Sequence, residues 1–110
     1  MSAEGVWKVE MLGPYGWESM STAFMENGIY RAGSAAHYST GTYTLDDDTL
    51  TVDASIFMHH GVSRTLFGQE GDRHQVRFEG SLSGDEVSGM ATDGQGQFMV
   101  RFRATRLSGL

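Results

Sequence analysis

The sequence predicts an all-β fold, an antiparallel up-and-down barrel of about eight strands with one short helix. Three observations carry that expectation. Apolar residues recur at every second position through most of the chain, the period of a strand with one buried face. Short segments rich in Gly, Asn and Asp separate these alternating runs, as hairpin turns do. No window holds the i, i+3, i+4, i+7 stripe that an amphipathic helix would bury. A chain of 110 residues has room for one domain, here residues 1–110.

The elements follow in order. Residues 6–12 open the sheet. Residues 20–25 and 29–32 flank Glu26-Asn27-Gly28, and Asn-Gly is a strong hairpin signal because both positions tolerate positive φ. Residues 38–45 and 49–57 flank Asp46-Asp47-Asp48, and in the second of these runs Leu50, Val52, Ala54 and Ile56 share one face. Val76, Phe78, Gly80 and Leu82 alternate with Gln75, Arg77, Glu79 and Ser81. The turn Ser83-Gly84-Asp85 leads to residues 86–92, and Asp93-Gly94-Gln95-Gly96 leads to residues 97–107. In that last strand Phe98, Val100, Phe102 and Ala104 face one way and Met99, Arg101, Arg103 and Thr105 the other. One apolar and one polar face is the mark of an antiparallel sheet wet on one side, and closure removes its exposed edges. Gly41, Gly80 and Gly89 fall inside strands, where glycine marks a bend or a close backbone approach. Residues 58–69 break the alternation, and a short helix around residues 63–67, ended by Gly68, is expected there.

Composition narrows the function. The absence of cysteine excludes disulfides, thiolate zinc sites and Cys nucleophiles. No apolar run approaches the roughly 18 residues of a membrane span, and the opening residues carry no secretory signal, so a cytoplasmic location is expected. The formal charge of -6 repels phosphate backbones and argues against direct nucleic-acid binding. It suits a basic protein partner. The bases near the end, Arg101, Arg103 and Arg106, read as the wet side of the last strand.

No chemistry-bearing constellation suggests an enzyme. A metal site wants two or three of His37, His59, His60 and His74 converging with a carboxylate, and the adjacent His59 and His60 point opposite ways on an extended chain, so neither a metal nor a cofactor is expected. No serine lies in a G-x-S-x-G elbow. The glycine-containing loops precede strands, whereas a phosphate cradle needs a helix N-terminus.

Two non-enzymatic sites remain. Asp46, Asp47 and Asp48 form the densest charge in the chain and could dock Arg or Lys from another protein. The pattern D-x-[DN]-x-[DN]-G of a calcium loop is not met. Alternatively, an eight-stranded barrel is just wide enough for one small ligand, and Val52, Phe78, Val100 and Phe102 would line a cavity for an apolar molecule. Met25, Met90 and Met99 are expected to face outward, which points to a partner surface or a contact between copies.

The segments Gly5-Val6-Trp7, Glu26 to Ser34, Tyr38 to Tyr43 and Leu45 to Leu50 occur in an order that resembles the GrlR family, negative regulators of bacterial type III secretion genes. The likeness extends through the Gly80 to Gly89 hairpin to Arg106-Leu107. The resemblance implies a lipocalin-like barrel with one short helix, a homodimer, and binding of a basic DNA-binding activator through an acidic turn. That turn carries four acids in the family's founding member. Here Asp46, Asp47 and Asp48 stand in it, followed by Thr49.

Overall fold

The strands of the computed structural model are β1 Gly5–Gly13, β2 Gly16–Glu26, β3 Ile29–Gly33, β4 His37–Asp46, β5 Thr49–Met58, β6 Arg73–Ser83, β7 Glu86–Asp93 and β8 Met99–Ser108. Each pairs antiparallel with its neighbour in sequence, and β1 pairs with β8, so the sheet closes into an up-and-down barrel. The structure describes residues 2–59, 73–94, 96 and 99–109. The helix expected around residues 63–67 lies outside them.

Period-2 patterning sets which side chains enter the barrel. Leu50, Val52, Ala54, Val76, Phe78 and Phe102 are buried, while Asp53, Gln75, Arg77 and Arg103 stand outside. Large and small residues interlock across strands. Trp7 pairs with Ala23, and both are fully buried. Phe78 meets Phe102 edge to face, with ring centroids 5.0 Å apart.

Met25 does not face outward. It is buried, and its neighbour Phe24 takes the solvent side. The register shift between Val9 and Glu10 places Ser21 and Ser19 opposite consecutive β1 residues, and it fixes Ala23 and Met25 on the inner face. Met99 is exposed and Met90 half-buried.

Arg106 also departs from the expected wet strand face. Its side chain folds over the indole of Trp7, 4.6 Å from the ring centroid. The guanidinium donates to the carbonyls of Ser2, Glu4 and Gly84 and to the Asp85 carboxylate. The shift in β1–β8 pairing between Val6 and Trp7 lets it turn across the barrel end.

The interior becomes polar towards the opposite end, where Ser39, His74 and Asp93 are buried. Burial pushes the Tyr30 phenol up to about 12, while hydrogen bonds with Ser39 and Ser21 pull the other way. Because the folded state holds this proton more tightly, the stability it contributes is complete below pH 10 and is lost as pH rises towards 12.

Candidate partner-binding rim

Up-and-down connection puts the turns after β2, β4 and β6 at one end of the barrel, together with both chain termini. The first of these turns places Asn27 at φ 54° and Gly28 at φ 79°, the two positive values that a tight Asn-Gly hairpin requires. Asp47 is left-handed as well, at φ 55°, a conformation that Asp tolerates better than most residues.

Each turn is pinned to the strand beyond its own hairpin. The Gly28 carbonyl accepts from Tyr43 N–H at 2.9 Å, the Asp48 carbonyl from Leu82 N–H at 2.7 Å, and the Asp85 carbonyl from Arg106 N–H at 2.8 Å. The Glu4 carboxylate accepts from Asn27 N–H at 3.0 Å and ties the segment before β1 to the same end. The barrel end is therefore a fixed rim of backbone.

Its side chains are acidic. Glu4, Glu26, Asp46, Asp47, Asp48, Asp85 and Glu86 gather there, seven of the chain's 14 acids. Among the described residues Arg106 is the base on this rim, and Asp85 takes its charge at 2.9 Å. Asp46, Asp47 and Asp48 are all exposed, and none has an ion-pair partner among the described residues.

Elsewhere on the wall, Lys8, Arg77 and Arg103 are engaged with acids. Arg103 donates to Glu10 through two nitrogens, at 2.9 and 3.4 Å, and lies over the Trp17 ring. These bonds hold the Glu10 carboxyl below its ordinary value against the opposing effect of burial. Arg77 pairs with Asp53 at 3.3 Å. Outside the Asp85–Arg106 pair the rim acids have no ion-pair partner among the described residues, and their negative potential can steer a basic partner.

The second candidate site has a different geometry. Val52, Phe78 and Phe102 do line an interior space, while Val100 packs against the core beside it. The space is only about 20 Å³, with walls that include Trp7, Met25 and Tyr30. That is room for roughly one water, whereas small-molecule sites run from about 300 Å³. A carrier role would require these packed rings to move apart.

No family model and no curated protein matches this chain. Among the described residues, no group of three His, Asp or Glu side chains is placed to hold a metal ion.

Sequence reading found Asp46 to Asp48 because they are consecutive. It missed Glu4, Glu26, Asp85 and Glu86, which are scattered along the chain. The signal was present: once an up-and-down barrel is predicted, every second turn must fall at the same end as the termini.

Proposed function

We propose that the protein is a non-enzymatic cytoplasmic regulator that binds a basic DNA-binding protein at its acidic rim, with Asp46, Asp47 and Asp48 as the docking turn. The observation that carries this reading is the rim itself, seven acids on backbone held by three turn-to-strand hydrogen bonds. Pre-organised charge gives up little conformational entropy on binding and orients an incoming cationic helix. A partner whose DNA-contacting bases are held here cannot reach phosphates, so repression needs no contact between this protein and DNA. The resemblance to GrlR regulators supports the same reading and makes the partner an activator of type III secretion genes.

The test uses Asp46→Asn, Asp47→Asn and Asp48→Asn together. Asn keeps turn propensity and tolerates the left-handed backbone at position 47, so the fold is retained. Affinity for the regulator captured from native cells falls about ten-fold or more, since charge-assisted contacts contribute on the order of 1–3 kcal/mol each. Wild-type affinity falls steeply with added salt. Unchanged affinity of the triple variant removes the docking turn from the reading.

A homodimer belongs to the same proposal. Register pairs Val6 on β1 with Phe24 on β2, Ile29 on β3 lies diagonal to Phe24 beside Arg31, and exposed Leu107 on β8 sits next to Val6. This apolar patch lies on the barrel wall just below the Glu4 and Glu26 part of the rim, away from the β4–β5 turn, so pairing through it leaves Asp46, Asp47 and Asp48 accessible. Sedimentation equilibrium at micromolar concentration gives about twice the chain mass, and Phe24→Asp returns the monomer. A wild-type monomer at ~100 μM rejects the dimer.

A further inference from the structure

At the barrel end opposite the rim, the outer wall carries four flat side chains in a row. Register pairs Tyr38 on β4 with Phe57 on β5, and Phe57 with Arg73 on β6. The Tyr38 and Phe57 rings stack at 5.0 Å with 16° between their planes. The Arg73 guanidinium carbon sits 5.5 Å from the centroid of Phe57 on its other side. The His59 ring lies 6.1 Å from that of Tyr38, tilted by 33°, and the His59 N–H is fixed by the Ala36 carbonyl at 2.9 Å. With Met58 these residues line an open cleft of about 370 Å³.

Outer positions of a barrel in water ordinarily carry polar side chains, yet here Tyr38 remains 50 % exposed. Stacked on each other, the Tyr38 and Phe57 rings turn their edges to the cleft, and a planar guest can lay its face on those edges, an edge-to-face contact that contributes beyond the area it buries. Arg73 adds a planar cation whose fork matches a carboxylate. Its guanidinium contacts the Phe57 face and no acid among the described residues, and none of the described lining residues is acidic. One arginine beside a π surface suits a single carboxylate. It does not suit a polyanion, which the acidic remainder of the molecule repels.

We infer that this cleft binds small planar aromatic carboxylates, the ring against the edges of the Tyr38–Phe57 stack and the carboxylate on Arg73. The site is separate from the acidic rim and does not depend on the role proposed for it.

The experiment titrates the full chain with 2-naphthoate, 2-naphthalenemethanol and cyclohexanecarboxylate, read by NMR at the Met58 methyl and the Tyr38 and Phe57 ring protons. 2-Naphthoate saturates these shifts with a Kd below about 1 mM, and each of the other two binds about five-fold more weakly or worse, one lacking the charge and the other the planar face. Arg73→Gln weakens 2-naphthoate by about five-fold and leaves the alcohol unchanged, because only the carboxylate uses the guanidinium. Tyr38→Leu keeps apolar bulk on the outer wall and weakens both aromatic probes. The inference is overturned by shifts that do not saturate, by unchanged 2-naphthoate affinity in both variants, or by shifts centred on the interior rings of Phe78 and Phe102.

Discussion

Arg106→Ala is expected to lower stability by about 3 kcal/mol, enough to drop the melting temperature of a domain this size by about 10 °C or more. The arginine side chain is 18 % exposed. It donates to three backbone carbonyls, those of Ser2, Glu4 and Gly84, and covers the indole of the fully buried Trp7. Removal leaves those carbonyls without their charged donor and opens the barrel end above Trp7, whose own Nε1–H donates to Ala3 O. The ion pair contributes less than its 2.9 Å length suggests, because the Asp85 side chain is 75 % exposed and water competes for it. Asp85→Asn is therefore expected to cost less than about 1 kcal/mol. Arg106→Lys keeps the charge but not the planar fork, so it recovers only part of the loss. Thermal melts of the three variants separate the contributions. Equal losses in Asp85→Asn and Arg106→Ala would assign the effect to the ion pair instead.

The barrel was legible in the sequence because its hairpins are short. Where two alternating runs meet at Asn27-Gly28 or Asp47-Asp48, the partner of each residue is nearly fixed by counting back from the turn. Legibility failed where alternation had two phases. In residues 20–25 apolar side chains stand at Met20, Ala23, Phe24 and Met25, so the pattern alone allows either Phe24 or Met25 inside. The bulge and the fit of Ala23 against Trp7 decide it, and neither is a property of that segment by itself.

The two surface sites divide in the same way. Asp46 to Asp48 are local, but the rest of the rim comes from residues that only the closed topology assembles. The flat row at Tyr38, Phe57 and Arg73 depends on register across three strands, and a linear reading has no spacing that marks it. Arg106 also bears on the proposed docking rim. It fixes the turn that carries Asp85 and the segment that carries Glu4, so losing it loosens part of the acidic face as well as the core.

Gly89→Ala and Gly41→Ala are each expected to destabilise by about 2–3 kcal/mol, at the upper end of overpacking costs. Both glycines have ordinary φ, so space is the issue and conformational freedom is not. Gly89 sits directly opposite Gly80, and a Cβ there would overlap the Glu79 carbonyl oxygen and lie 2.5 Å from the Gly80 Cα. Gly41 sits opposite Ala54, and its Cβ would overlap the Asp53 carbonyl oxygen and lie 2.6 Å from the Ala54 Cα. In each case the obstacle is main chain of a paired strand, which cannot swing aside as a side chain does. The strands would have to separate, breaking ladder hydrogen bonds or flattening the coil that closes a small barrel. Gly13→Ala is the control. Its new methyl would meet only the Glu18 carboxylate, at 2.7 Å, the far end of an exposed and mobile side chain. That variant is expected to stay within about 0.5 kcal/mol of wild type. Urea unfolding checks all three. If Gly89→Ala and Gly41→Ala unfold at the same midpoint as Gly13→Ala, close strand approach is not what these glycines provide.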